Sequence, residues 1–521
     1  MRATLLALSL LAAAAPADAR DLIFARGTEQ AAIDPHFNDA GNDVSTAQNI
    51  FDRLVDMKAD QSMVPSLATS WTALDPLTWE IHLQKGVTFQ DGSPFTAEDV
   101  VFSLDRPNHL IGAAAPWTRS VASVDHIDIK DPLTIIVHTK EPKPLLMDEI
   151  GNVFIVSKKA AANASTEDFN SGKAALGTGP YRFVSWQRGD RVELEAYPGF
   201  WRGKPEFDHV TLRFITNTAA RMAALLSGAV DVIDGIPPND IPTITAHPEL
   251  KVWSGLTNRI TFLAIDSPRP VTPFATDLDG KPLEKNPLAD VRIRRAISRM
   301  INRQLLVDRV AGGQGVVAGQ IVPPGQGGYA DDLKPDVLDI DGARKLLAEA
   351  GYPNGFGLTI HSSNDRFPED SADLQAIGQM LTRGGLHING VVSMPFNVII
   401  GQAAAQKFSL FLWAYNSASP DASEGLKSLL ATRNVATGMG GSNRTQYSNA
   451  KFDALLAQGL GEFDEAKRNA LFAEATRLAV GQDVGIIPLY WQKHAWATKA
   501  GLSYEANVQD DNAVRFVHMA K

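Results

Sequence analysis

Between residues 177 and 233 the hydrophobic pattern changes period. Tyr181, Phe183 and Trp186 fall in one alternating run and Val192, Leu194 and Ala196 in another, with Arg188-Gly189-Asp190 between them. Two such runs about a short Gly-containing link predict a β-hairpin. A third strand is expected over 210–215, with Val210, Leu212 and Phe214 on one face. The period then lengthens. Thr216 or Asn217 can N-cap a helix striped by Met222, Leu225 and Leu226 and ended by Gly228, and Val230, Val232 and Ile233 follow as a buried strand. Strand, helix and strand in this length predict a right-handed βαβ crossover, hence an α/β lobe with a largely parallel sheet.

The same reading extends along the chain. A strand over 22–26 leads to the turn Ile33-Asp34-Pro35-His36, a polar loop over 37–43 and a helix over 45–54. Residues 63–71 and 78–83 alternate as strands of a second sheet. Residues 85–90 read as a strand entering the Asp91-Gly92 turn, and 134–139 as another strand. Thr96 and Asp99 make a capping-box start, with Val100, Val101 and Leu104 facing inward. A strand over 261–266 then crosses into a further α/β segment. There Asn286 caps a helix with Pro287 at its first position and a stripe of Ile293, Ala296, Ile297, Met300, Ile301 and Leu305. A helix over 341–350 has Asp341 as its cap and Gly351 past its end, and a second helix spans 375–381. Strands are expected over 358–362 and 408–413, and strands over 486–491 and 496–498 return the chain to the first lobe.

Composition narrows the class. A chain of 521 residues implies several domains, and 44% hydrophobic with 21% charged residues is ordinary for globular proteins. The net charge of −10 is spread without runs, and no basic stripe exists to neutralise phosphates, so a nucleic-acid partner is not expected. Arg2, an apolar run over 5–15 and the small-residue site Ala17-Asp18-Ala19 read as a cleaved secretory leader over 1–19. With no cysteine, the leader carries no lipidated residue and the mature chain no disulfide. A periplasmic location follows as the expectation.

Catalytic motifs are weak. The eleven histidines include no H-x-x-x-H or H-E-x-x-H, and a zinc site would have to be gathered from distant segments. Gly313-Gln-Gly315-Val-Val-Ala318 follows a helix where a dinucleotide loop needs a strand, and it reads as plain loop. Ser448-Asn-Ala-Lys451 matches S-x-x-K, a pattern expected by chance in a chain this long; Tyr447-Ser448-Asn449 reads instead as a helix start. No G-x-S-x-G is present. No cofactor is called for.

The words GTGPY at 177–181, W-x-x-GD at 186–190, YPGFWRGKPEFDHV at 197–210, AARMAALLSGAVDVI at 219–233 and KGVTFQDGSPFTAEDVVFSL at 85–104 occur in one order. In that order they resemble the extracellular solute-binding proteins, family 5, of ABC importers, the dipeptide, oligopeptide and nickel type. The resemblance covers essentially the mature chain. It implies a bilobal periplasmic-binding-protein fold (type II, cluster C) with an extra α/β subdomain in the N-terminal lobe and a two-segment hinge. The implied division gives lobe I residues 20–50, 172–263 and 486–521, the extra subdomain 51–171 and lobe II 264–485. It further implies a monomer that captures a peptide-like solute by hinge closure and passes it to a permease served by ATPase subunits, reaching the membrane only through that permease.

Site residues follow from the same resemblance. The loop Asn38, Asp39, Ala40 and Gly41 faces ligand from lobe I. Trp413, Ala414, Tyr415 and Asn416 run beside a bound peptide as an added strand would. Asn443, Arg444, Tyr490 and Trp491 are candidate walls. Family members that bind peptides carry Asp where Asn416 stands, and that carboxylate holds the ligand's α-ammonium. Either Asp421, Glu424 or Asp39 takes its place, or the ligand has no free amine there. Opine-like, glutathione-like, glycosidic and metal-chelate ligands remain open beside peptides. A secreted hydrolase and a periplasmic chaperone or receptor are the competing classes.

Overall fold

The computed structural model describes residues 20–112, 117–367, 369–417 and 419–520. The expected leader lies outside them. Two long strands organise the rest: Leu250–Ile265 and Ile486–Lys499 run antiparallel at the middle of a twelve-stranded sheet. On one side the order continues through Val232–Ile233, Asp21–Arg26, His209–Phe214, Arg191–Ala196 and Tyr181–Gln187. On the other it continues through Leu410–Asn416, Gly357–Ser363 and Ala275–Thr276. His387–Met394 is added beside Gly357–Ser363, and Gly315–Val317 beside Ile486–Lys499.

The two halves of this sheet are two lobes, each with a core on both faces. In lobe I, Leu22 and Phe24 face one core while Ile23 and Ala25 face the other. In lobe II, Leu410 and Leu412 oppose Phe411 and Trp413 in the same way. Period two along a strand makes this division automatic.

The hairpin, the third strand and the helix Thr218–Leu226 form as expected, and Asn217 is the cap, its Oδ1 accepting the Ala220 N–H at 2.9 Å. Asp21–Arg26 lies between the two strands of the crossover, parallel to both. The sheet is not largely parallel, however. In it, parallel pairing is confined to the two neighbours of Asp21–Arg26 just named and to His387–Met394 and Leu410–Asn416 beside Gly357–Ser363, because the hairpin and the two long strands run out and back.

A separate four-stranded antiparallel sheet comprises Ala68–Asp75, Thr78–Leu83, Thr134–Thr139 and Val124–Asp131 in that order. Ile81, Leu83, Ile135 and Val137 on its inner face share one continuous core with Phe51, Phe154, Phe169 and Val210 of lobe I.

Several expectations are corrected. The helix expected over 45–54 is Gly41–Ala47. It stops because the Asn49 and Ile50 carbonyls are taken by the Tyr181 and Gly179 N–H groups, at 2.9 and 3.0 Å. A Cβ at Gly177 or Gly179 would meet the Ile50 carbonyl oxygen at 1.9 or 2.7 Å, so the GTGPY glycines permit this backbone contact. Residues 63–71 divide into Met63–Pro65 and the start of Ala68–Asp75, and 85–90 holds one bridge, Thr88 to Pro94, rather than a strand. Asn286 caps only the 3₁₀ turn Pro287–Ala289, while Asp290 caps the helix Val291–Met300 and leaves Leu305 exposed. Asp339, not Asp341, caps the helix Ile340–Glu349, and the helix expected over 375–381 fills Asp370–Gly384. Within the expected loop at 313–318, Gly315–Val317 is a strand.

The returning strands are one element, and its first half lies in lobe II. There Ile486 to Trp491 pair with Ile260–Ala264, whereas His494 to Lys499 pair with Leu250–Gly255 in lobe I. Between these halves the register breaks from Leu256/Lys493 to Ile260/Trp491, so Thr257, Asn258 and Arg259 oppose Gln492 alone. Extra residues at such a break bend and twist the strand. Asn258, 2% exposed, is pinned from three directions. Its N–H donates to the Val508 carbonyl at 2.8 Å, its Nδ2 donates to Gln61 Oε1 and its Oδ1 accepts Gln326 Nε2 at 2.5 Å.

Candidate functional site

The strand Leu410–Asn416 has unequal sides. Towards Leu250–Ile265 it is paired through to Asn416, which stands opposite Arg259. Towards Gly357–Ser363 only Leu410 and Phe411 are paired, with Ile360 and His361. Among the described residues, the backbone from Leu412 to Asn416 therefore presents an open strand edge. Unpaired N–H and C=O groups in a row are a template for an added strand. This edge lies at the C-terminal ends of two parallel strands, where ligands of open α/β sheets bind.

Aromatic and charged groups surround it. Trp413 is 9% exposed and contacts Phe396 and Phe411, with ring centres 5.7 and 5.8 Å away. The Arg366 guanidinium lies 4.8 Å from the Phe396 ring. Burial first, and then the Arg259 charge, lower the Arg366 pKa, which puts two guanidinium groups near this strand end. Asn416 is exposed at the end of the strand. Tyr415 donates its hydroxyl to Glu424 Oε1 at 2.9 Å, and Glu424 Oε2 accepts from Ser417 Oγ at 3.2 Å and the Ser419 N–H at 3.1 Å.

Lobe I meets this group through the loop after its first strand. Asp39 Oδ2 accepts from Arg119 Nη2 at 2.6 Å, and Asn38 donates to Asp43 Oδ2 at 3.1 Å. Ala40 is the extended N-cap residue and Gly41 the first residue of the short helix. The Arg119 pKa is raised, first by its bond to Asp39 and further by Glu424 and Tyr415 of lobe II. Asp39, Arg119, Tyr415 and Glu424 thus share one electrostatic environment between the lobes. The lobes also touch where Trp79 stacks on Phe463, with ring centres 6.1 Å apart. Asp148 of the extra subdomain is pushed up to about 7, first by burial and next by Asp421 of lobe II.

Other expected residues serve the framework. Tyr490 and Trp491 are 1% and 2% exposed, the former bonded to Asp373 Oδ2 and the latter donating Nε1 to the Ile321 carbonyl at 3.1 Å. Their place on a central strand, covered on both faces, puts them in the core. Asn443 is buried and donates to the Ala431 and Tyr447 carbonyls at 2.9 and 2.8 Å. Asp421 is buried and accepts the Ser423 N–H at 2.9 Å, at the start of the helix Ser423–Leu429. Arg444 is half-buried beside Arg433, and its Nε has no hydrogen-bond partner among the described residues.

Sequence reasoning missed Arg119, Arg259 and Arg366, none of which lies in a motif: Arg119 is in the short helix Thr118–Val121, Arg259 is inside the strand Leu250–Ile265 and Arg366 is in the link before the helix Asp370–Gly384. A cavity of about 220 Å³ lies elsewhere, lined by Asp52, Arg53, Asp56, Phe200, Arg202 and Arg515 among others. Arg202 and Arg515 already pair with Asp56 there, and that ion-pair network belongs to the lobe I framework.

Comparisons with known proteins agree with this architecture. The family model for bacterial extracellular solute-binding proteins, family 5 Middle, matches residues 62–437. The glutathione-binding protein GsiB of Escherichia coli strain K12 is 28% identical over 510 residues, covering 94% of this chain and 90% of the relative. The structure of HbpA2 from Haemophilus parasuis superposes with a TM-score of 0.83 at 23% identity, covering 96% of this chain and all (100%) of the other. The unliganded open form of MppA, a periplasmic murein tripeptide binding protein, gives a TM-score of 0.81 at 20% identity, with 97% and 98% covered.

Proposed function

The chain belongs to the bacterial extracellular solute-binding proteins, family 5, and on that premise we propose that it captures a peptide-like solute between its lobes for delivery to an ABC permease. The observation that carries this reading is the open edge from Leu412 to Asn416, which offers main-chain groups to an extended ligand backbone. Asp39 and Arg119 approach the same place from lobe I. A ligand touching both lobes binds the closed arrangement better and so shifts the population towards it. The hinge is the register break in the pair of long strands, which moves the lobe boundaries to it: lobe I as 20–50, 172–256 and 493–521, the extra subdomain as 51–171 and lobe II as 260–491. The chain is read as a periplasmic monomer after loss of residues 1–19, and as a carrier that leaves its cargo chemically unchanged.

Glu424 is the carboxylate best placed to replace the absent Asp at position 416. Asp421 is buried and accepts the Ser423 N–H, and Asp39 is held by Arg119; Glu424, which accepts from Tyr415, Ser417 and Ser419, is half-buried beside the open edge. A charged acceptor holds an ammonium roughly twice as strongly as a neutral one. A glutathione-like ligand is a second reading, favoured by Arg259 and Arg366 standing near each other where a second carboxylate would need cations. GsiB relatives bind glutathione by name.

The test is mass spectrometry of the solute retained by the purified protein, followed by calorimetry with short peptides and glutathione. Peptides with free N-termini are expected to bind more tightly than N-acetylated ones, and Glu424→Gln is expected to remove most of that difference. Release of cleaved ligand would overturn the reading. So would equal binding of free and acetylated peptides by the unaltered chain and by Glu424→Gln.

A further inference from the structure

The outer face of the extra subdomain carries a cluster that the ligand cleft does not use. His126 and His138 stand directly opposite each other on adjacent antiparallel strands. Asp128, two residues beyond His126, lies on the same face. The imidazole rings stack, with centres 4.2 Å apart and planes at 10°. His138 Nε2 lies 3.2 Å and His126 Nε2 3.9 Å from the same oxygen, Asp128 Oδ2. All three ligand atoms fall within 4.8 Å of one another, the one such group among the described residues.

A neighbouring residue orients one ring. The pairing passes from Val124/Thr139 to His126/His138, so Asp125 is an extra residue bulged out of the ladder. Its Oδ2 lies 2.8 Å from His126 Nδ1. A carboxylate that accepts the Nδ1 proton leaves the Nε2 lone pair free, and this Nε2 is the atom turned towards Asp128. Metal-ligating histidines are held in this way by an outer carboxylate.

We propose that His126, His138 and Asp128 form a surface site for a divalent transition ion of the zinc type, with Asp125 orienting His126. Two imidazoles and one carboxylate suit zinc, copper or nickel rather than calcium or magnesium. An ion with ligand bonds of about 2.0–2.2 Å holds tetrahedral ligands roughly 3.3–3.6 Å apart. The separations here are close to that range, and the side chains are exposed enough to adjust: His126 is 55% and Asp128 67% exposed. The rings tilt out of parallel by rotation about their broad terminal torsions. Water completes the coordination. The bound ion staples Val124–Asp131, at the edge of the four-stranded sheet, to Thr134–Thr139.

The test uses the full chain, free of any affinity tag and stripped with a chelator. Zinc titration by calorimetry is expected to show one saturable site, lost or weakened at least tenfold in His126→Gln/His138→Gln. Asp125→Asn is expected to weaken it by about tenfold or more, the usual effect of removing an orienting partner. His109→Gln, an exposed histidine paired with Asp105 elsewhere, should leave it unchanged. Zinc should also protect His126 and His138 of the unaltered protein from acylation, read by peptide mapping. Uptake weakened less than tenfold in the double variant, acylation of both histidines undiminished by zinc, or no saturable uptake would each overturn the proposal.

Discussion

Arg106 shows how one side chain fixes a loop that function needs. Its Nη1 and Nη2 donate to the two oxygens of Asp34, both at 2.7 Å, and its guanidinium lies 4.6 Å from the Phe169 ring. His36 accepts the Arg106 guanidinium at Nδ1 (3.2 Å) and donates Nε2 to the Phe154 carbonyl at 2.7 Å. Burial alone would raise Asp34, but the Arg106 bonds outweigh it and hold it below the usual carboxylate range. Its stabilisation is therefore complete above the ordinary carboxylate pKa and lost as pH falls through the lowered one. Removing one partner strands a buried charge, so Asp34→Ala is expected to cost about 3–5 kcal/mol in urea unfolding. At the cleft, Asn416→Asp restores a charge at an exposed strand end and is expected to tighten peptides with free N-termini by about tenfold, measured by calorimetry. No gain for any peptide would count against Asn416 as an amine contact.

Among elements, the hinge break is the most informative. Thr257 Oγ1 donates to the Gln492 carbonyl, and Gln492 Nε2 donates to Thr261 Oγ1, both at 2.9 Å, so side chains cover for the missing ladder bonds. Asn258 ties this break to Gln61 of the extra subdomain and Gln326 of lobe II. Asn258→Ala is expected to cost about 1–3 kcal/mol, the range for leaving buried polar groups short of partners. Hydrogen exchange at residues 256–260 should also quicken. Unchanged exchange would show that Asn258 is not what holds the hinge. The element boundaries follow a simpler rule. Asn217 caps its helix as read, but Asp339 replaces Asp341 and Asp290 replaces Asn286, because several Asx residues precede each helix and only the backbone path selects one.

For the whole molecule, the lobe boundary holds Asp148, pushed up to about 7 first by burial and next by Asp421 of the other lobe, with Arg468 opposing the shift. If Asp148 titrates normally with the lobes apart, the closed arrangement binds a proton more tightly than the open one. The penalty on closure is then absent below the ordinary carboxylate range, grows as pH rises towards about 7 and is constant above that. Small-angle scattering of the ligand-free protein is expected to show a larger radius at pH 8 than at pH 5 (roughly the two sides of that window), and Asp148→Asn should flatten the dependence. A variant as pH-sensitive as the parent would assign the effect elsewhere.

What the residues determined by themselves is local: the hairpin, the helix Thr218–Leu226, the capping box at Thr96 and Asp99, and the strand Thr134–Thr139. Each depends on side chains a few positions apart, so periodicity and caps record it. The motif order at 177–233 carried the family as well, since those glycines and aromatics meet the backbone of Asn49 and Ile50. Assembly decided the rest. That the sheet is mixed, that Ile486–Lys499 begins in lobe II and that Tyr490 is core rather than wall all depend on which strands pair. The meetings of Asp39 with Arg119 and of Asn258 with Gln61 join segments far apart in the chain. Nothing local encodes them; strand pairing and the burial it imposes bring them together.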